Sequence, residues 1–295
     1  MEILSQVQQA LNFIHSVDVS HIEDPLQARR VFYDQLAPLA GEEAPVWLVE
    51  DKTINQQIQI RIYRPSDQPV LPALIFFHGG GFNSGSLTSH DRPLRQLANL
   101  SGVVIIAVDY RLAPEYPFPH GLNDCIDATE WVIHNAAALR IDPNRVAVAG
   151  DSAGGTLATG VAQRLPAIVC QILIYPAIDP ALQTASWTQF ADGPVITYDR
   201  MRKIWVDYAG ANKAATPLSQ EDLSDMPDTF VITAEYDPLV DEGIAYAKKL
   251  RQAHVEVREK VYPKMIHGFF QMAGVIDEGR VVMEDIAKYI RHKLK

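Results

Sequence analysis

A doubly wound α/β architecture, with a mostly parallel central sheet flanked by helices, is what this sequence predicts. Three observations point to it. Continuous apolar runs recur at Ala73–Phe77, Val103–Val108, Val146–Ala149, Gln171–Tyr175 and Thr229–Thr233, and unbroken runs suit strands covered on both faces. Helical stretches at Arg92–Leu100, Leu122–Leu139, Ala153–Arg164 and Asp241–Ala253 alternate with them, and that alternation builds βαβ units. Finally, 47% apolar and 21% charged residues over 295 positions are the proportions of a globular chain with a sizeable core.

Taken in order, the chain opens with two expected helices. Ile3, Leu4, Val7, Leu11 and Ile14 fall at helical spacing. The second helix should start at Asp24-Pro25, a capping residue followed by proline at the first helical position. Ile58, Ile60 and Ile62 alternate with polar residues, as in a half-buried strand, and Trp47–Glu50 is expected to pair with it across a turn at Asp51–Lys52. After the βα units come a last strand, Val255–Val261, and a helix from Asp277. The segment Pro180–Pro227 breaks the rhythm: it holds no clear strand and carries Trp187, Phe190, Tyr198, Trp205 and Tyr208. It reads as a helical insertion over the carboxyl edge of the sheet, where open α/β sheets bind ligands. Residues 1–45 would complete a cap with residues 180–227, and residues 46–179 and 228–295 would form the main domain.

Composition excludes several function classes. The net charge is −10, from 26 Lys and Arg against 36 Asp and Glu, with no basic run. Nucleic acid and anionic membrane surfaces are therefore poor partners. No apolar stretch reaches the roughly 18 residues of a membrane helix. The first residues, without a basic leader, do not read as a signal peptide, so a cytoplasmic location is expected. Cys125 and Cys170 are too few for a disulfide framework or a cysteine zinc site and are expected to be buried thiols.

The sharpest motif is Gly150-Asp151-Ser152-Ala153-Gly154-Gly155, placed between the strand Val146–Ala149 and a helix. That is the setting of a nucleophile elbow, a turn tight enough to strain the serine backbone. An inert serine in a small-residue turn would share the letters but not the need for that setting. The second motif, His78-Gly79-Gly80-Gly81-Phe82, directly follows the strand Ala73–Phe77. Consecutive glycines expose backbone N–H groups, which suits an oxyanion hole. No Gly-Lys-Ser/Thr follows, which excludes a P-loop, and Ser84 stands where a dinucleotide fingerprint needs its third glycine.

A serine nucleophile needs a base. His267, in a loop after the last strand, is the candidate among nine histidines. An acid should lie between the two, after a strand. Asp237 sits there, with Glu235, Asp241 and Glu242 as competitors. Asp241 and Glu242 read as first-turn helix acids favoured by the macrodipole.

Together these residues resemble the hormone-sensitive-lipase-like branch of the α/β-hydrolases, the bacterial family IV carboxylesterases. The stretches that carry the resemblance are His78–Phe82, Asp109–Glu115, Gly150–Gly155, Ile174–Pro176, Asp237–Gly243 and His267–Phe269. The resemblance implies an α/β-hydrolase fold with a helical cap and a triad of Ser152, Asp237 and His267. It also implies an oxyanion hole from the N–H groups of Gly80, Gly81 and Ala153, and a loop-shaping role for His78. The implied function is hydrolysis of short- to medium-chain esters through an acyl-enzyme, with no metal or organic cofactor and a small-molecule ester as partner. The base must be neutral, so activity should rise from acid toward mildly alkaline pH. The same triad would serve an amidase or a deacetylase. A ligand receptor on a disabled hydrolase fold is disfavoured by the intact Ser152 and His267. Trp187, Phe190, Trp205 and Tyr208 would line the acyl pocket or form the core of the cap. A strand at the sheet edge near the C-terminus would let two copies pair as a homodimer.

Overall fold

A computed structural model describes residues 3–219 and 222–295. Residues 1 and 2, from the expected N-terminal helical pair, and 220 and 221, from the expected insertion, lie outside the described residues. The strands are β1 (Leu48–Ile54), β2 (Ile58–Arg64), β3 (Leu71–Phe77), β4 (Val104–Asp109), β5 (Ile141–Asp151), β6 (Ile168–Ile174), β7 (Asp228–Tyr236) and β8 (Val257–Ile266). The helices are α1 (Ser5–Ser16), α2 (Pro25–Gln35), α3 (Asp91–Ser101), α4 (His120–His134), α5 (Ala136–Leu139), α6 (Ala153–Ala162), α7 (Ala185–Gln189), α8 (Tyr198–Ala209), α9 (Val240–Gln252) and α10 (Asp277–Lys293).

The strands form one sheet in the order β1-β2-β4-β3-β5-β6-β7-β8. β2 runs antiparallel to β1 and β4, and the pairs from β4–β3 through to β8 are parallel. The α/β class is therefore as the apolar runs predict. The chain goes from β3 outward to β4, then crosses back to place β5 on the other side of β3. This reversal opens a crevice between the carboxyl ends of β3 and β5, where ligands bind in such sheets.

Each face of the sheet carries its own core. Ile75, Phe77 and Val148 pack with Leu122, Leu157 and Ala247 from α4, α6 and α9. Leu74, Phe76 and Ala149 pack with Val7, Leu94 and Ile286 from α1, α3 and α10. Alternate residues of one strand thus feed opposite layers, as the two-residue repeat of a strand requires. Cys125 and Cys170 are free and buried. Among the described residues, no helix is long and apolar enough to cross a membrane.

Local chemistry sets the boundaries. Asp24 caps α2 by accepting the N–H groups of Leu26 and Gln27 at 2.7 and 3.1 Å, with Pro25 next to it. Several expected boundaries shift. The first hairpin turns at Asn55–Gln57 rather than at Asp51–Lys52, because β1 continues through Lys52, opposite Ile60. The expected helix Leu122–Leu139 divides at Asn135, whose side-chain N–H bonds back to Trp131 O at 2.8 Å. β5 begins at Ile141, opposite Leu71, and not at Val146. The segment between β6 and β7 carries α7, α8 and short 3-10 turns, with one isolated bridge, Asp192 to Thr197.

Candidate active site

The site is assembled by loops at the carboxyl ends of β3, β5, β7 and β8. β5 ends in the turn that holds Ser152 at φ 54°, ψ −119°, a region a side-chain-bearing residue occupies only under strain. The turn holds because its neighbours cannot be larger. A β-carbon on Gly150 would stand 2.2 Å from the Gly154 backbone, and one on Gly154 would stand 1.9 Å from Phe77 O. The Ser152 N–H donates to Ile174 O at 2.8 Å, pinning the elbow to β6.

The structure brings Ser152, His267 and Asp237 into one hydrogen-bonded line. His267 Nε2 lies 3.0 Å from Ser152 Oγ, and Nδ1 lies 2.7 Å from Asp237 Oδ2. Asp237 Oδ1 accepts the Leu239 N–H at 2.9 Å, so both carboxylate oxygens are engaged and the group cannot rotate freely. Asp237 is fully buried, and Ser152 and His267 nearly so. The His267 imidazole lies against the Tyr175 ring, centroids 4.6 Å apart. This geometry allows proton transfer from the serine hydroxyl to Nε2 while Nδ1–H stays on the carboxylate.

The competing acids have other employment. Glu235 is exposed and accepts the Lys264 N–H at 2.6 Å. Asp241 accepts the Ser186 N–H at 2.8 Å, which ties α7 to the start of α9. Glu242, like Asp241, lies in the first turn of α9 as expected, and its surroundings add what the spacing does not show. It is fully buried, and it accepts the Ile178 N–H at 2.7 Å and the Trp187 indole N–H at 3.2 Å. Burial pushes its pKa up to about 8. The spacing that marks a helix start says nothing about which face of that turn meets the core.

Gly80, Gly81 and Ala153 converge on the same crevice, Gly80 at φ 119° and Gly81 at φ 64°. A β-carbon on Gly80 would meet Ser84 O at 2.2 Å, so the loop tolerates only glycine there. All three residues are buried, and their N–H groups have no protein acceptor among the described residues. Buried backbone donors left without a protein acceptor beside Ser152 are what a developing negative charge requires.

A second buried network escaped the sequence. Asp151 Oδ1 accepts the Gly79 N–H at 2.7 Å and lies 3.0 Å from His90 Nε2, while Gln271 reaches Oδ2 at 3.4 Å and also contacts the His90 ring. Burial raises the Asp151 carboxyl, but His90 and the Gly79 N–H outweigh it and hold it below the usual carboxylate range. The network joins the glycine loop to the elbow. His78 lies beside it, stacked on Tyr110 with centroids 4.3 Å apart and its Nδ1 2.8 Å from Gly79 O. Burial pushes the His78 pKa down to about 3, which keeps it neutral. One signal was available: a charged residue inside a buried elbow must have a partner.

A cavity of about 370 Å³ opens above Ser152 and His267. Its apolar wall comes from Ile14, Phe32 and Leu36 on the N-terminal side and from Ile196, Met201 and Ile204 on the other. Trp187, Phe190, Trp205 and Tyr208 do not line it. Two of them pack on the glycine loop instead: Tyr208 stacks on Phe82 at 3.7 Å between centroids and Trp205 packs on Phe82 at 5.4 Å. Trp205 and Tyr208 are thus core that clamps the glycine loop, whereas Trp187 is buried on Glu242 and the half-buried Phe190 meets Tyr236. Among the described residues, no group of three or more His, Cys, Asp or Glu side chains is placed to hold a metal ion.

The chain is similar to known proteins in sequence and in fold. Residues 74–271 match the family described as alpha/beta hydrolase fold, and the chain belongs to it. Within that fold it falls in the hormone-sensitive-lipase-like branch and is a carboxylic ester hydrolase. It is 36% identical over 276 residues to an ethyl acetate hydrolase of Pseudomonas putida, covering 88% of this chain and 87% of that one. It is 38% identical over 256 residues to carboxylesterase NlhH of Mycobacterium tuberculosis, covering 80% of this chain and 79% of that one. The solved structure of a hyperthermophilic esterase from the archaeon Pyrobaculum calidifontis superposes with a TM-score of 0.90 at 36% identity, over 99% of each chain.

Proposed function

We propose that this carboxylesterase hydrolyses short- to medium-chain esters, with Ser152 as nucleophile, His267 as base and then acid, and Asp237 as the group that orients the imidazole and balances its charge. The observation that carries this reading is the line from Ser152 Oγ through His267 to Asp237, with its 3.0 and 2.7 Å contacts. Ser152 attacks the ester carbonyl as His267 takes its proton. The carbonyl oxygen, now negative, is held by the N–H groups of Gly80, Gly81 and Ala153. His267 then protonates the departing alcohol, and water repeats the sequence on the acyl-enzyme. Asp237 keeps Nδ1 protonated throughout and does not itself take the proton.

Residues 1–45 and 180–227 act as the cap in this reading, since side chains from both segments wall the cavity. A cavity of about 370 Å³ suits a short acyl chain better than a triglyceride. The relative that is an ethyl acetate hydrolase supports small acyl and alcohol groups here. β8 closes one edge of the sheet with an unpaired side, and pairing along it would give a homodimer, which a monomer mass in light scattering would exclude.

The decisive assay is hydrolysis of p-nitrophenyl esters from acetate to palmitate by wild type and Ser152→Ala. Activity on the shorter esters, lost by about 10⁶-fold in the variant, is expected. Comparable turnover by Ser152→Ala would reject the assignment, and a preference for palmitate would reject the size argument.

A further inference from the structure

Two arginines line both the cavity and an adjoining surface groove, and neither joins an ion pair among the described residues. The half-buried Arg29, on α2, donates from Nε to the neutral amide oxygen of Asn83 at 2.7 Å. Its Nη2 lies 3.3 Å from where a β-carbon on Gly81 would stand, so its charge sits beside the glycine loop. Arg200, on α8, is exposed and lines the same cavity. Among the described residues eight of the sixteen arginines form no ion pair, so what sets Arg29 and Arg200 apart is that both line the same cavity as Ser152. The next residue is the contrast: Arg30, which does not line the cavity, grips Glu115 with two bonds, of 2.9 and 2.8 Å.

The surrounding acids leave these charges free. Asp151, the carboxylate that lines the cavity, is already held by Gly79 and His90. Asp18 and Glu23 share an adjoining groove with both arginines, but Asp18 accepts the Ser20 N–H at 2.8 Å and neither acid reaches ion-pair distance of Arg29 or Arg200. His15 also lines the cavity. The same cavity carries the apolar wall, a surface that suits a few methylene groups. A half-buried guanidinium without a counter-charge is costly, and a substrate anion would relieve that cost.

We propose that Arg29 and Arg200 form a carboxylate-binding subsite, so that the favoured substrates are esters carrying a carboxylate a few methylenes from the ester group. This rests on the reading of Ser152 as nucleophile. The carboxylate could belong to the acyl or the alcohol part, and two matched pairs separate these. Monomethyl adipate and methyl hexanoate differ only in a carboxylate for a methyl on the acyl side; 5-acetoxypentanoate and pentyl acetate do so on the alcohol side.

The measurement is kcat/KM for all four, by pH-stat, in wild type, Arg29→Met, Arg29→Lys and Arg200→Met. In at least one pair, wild type is expected to favour the anionic member. The anionic-to-neutral ratio should fall about 10- to 100-fold in Arg29→Met, fall less in Arg200→Met, and recover in part in Arg29→Lys. Preference for the neutral member of both pairs, with ratios unmoved by either Met variant, would overturn the subsite. So would parallel losses on both members of each pair, which would place Arg29 in support of the oxyanion or the fold. Hydrolysis of methyl hexanoate that persists in Ser152→Ala would instead overturn the nucleophile assignment beneath it.

Discussion

Two helices serve the same cavity, one starting directly after Ser152 and one lining the wall, and they are built in opposite ways. Every residue of α6, which carries Ala153 at its start, is buried, and the helix is wedged between sheet and neighbours so closely that glycine is required at Gly154. α2, which supplies Phe32 and Tyr33 to the cavity, has no fully buried residue. Polar links hold it instead: Arg29 and Arg30 to Asn83, Arg30 to Glu115, and Asp34 to Ser86. Packing of the first kind resists displacement, because any shift brings backbone into collision. Polar tethers at a surface contribute little each and can be rearranged. The contrast separates two tasks, positions that must not move for bond chemistry and a wall that can vary with substrate.

Perturbing the rigid side should therefore cost rate, and perturbing the tethered side should change selectivity. The largest effect expected after loss of Ser152 is from Asp237→Asn, about 10⁴-fold in kcat, with the fold intact by circular dichroism. A loss below tenfold would remove Asp237 from its role. Next, Gly80→Ala forces a β-carbon toward Ser84 O at a backbone angle that side chains avoid. The loop must shift, and a fall of about 10²- to 10³-fold in kcat is expected, the scale of losing one oxyanion donor. Near-normal kcat there would break the comparison.

On the tethered side, Phe32→Ala enlarges the cavity wall. It should move the preferred p-nitrophenyl chain length upward while kcat on the best ester stays within about threefold. A uniform drop across all chain lengths would show that α2 positions the chemistry after all.

The smallest effect concerns Glu242, which joins α7 to α9. Its folded pKa, about 8, lies above the ordinary glutamate value. Wild-type stability from this group is therefore full at acid pH and declines as pH rises toward 8, because the unfolded chain ionises first. Glu242→Gln cannot ionise, so its deficit in Tm relative to wild type should be greatest near pH 5 and smaller near pH 8. A deficit that grows with pH would mean that Glu242 is ionised in the folded protein.

Much of this protein was readable before folding because its chemistry is written in neighbouring residues. The elbow needs small residues within a few positions of Ser152, and the glycine loop needs its glycines in succession. The alternation of apolar runs and helices sets the order of elements, and chain order at the sheet edge points to His267 and to an acid within Glu235–Glu242, where the structure sets Asp237 against the imidazole. Boundaries were less legible. The polar stretch after Ile141 resembles a loop, yet β5 takes it in, because the sheet supplies a partner at Leu71.

The tertiary structure alone decided what depends on convergence from distant parts of the chain. His90 and Asp151 are 61 residues apart and meet only because β3 and β5 are adjacent. Glu242 is buried because α7 lies across it. In the insertion, Trp187, Trp205 and Tyr208 went to the core while Ile196, Met201 and Ile204 reached the cavity wall, a division that hydrophobicity alone cannot make, since both places take apolar side chains. The unpaired arginines belong to the same class: charge is visible in a sequence, but the absence of a counter-charge exists only in three dimensions.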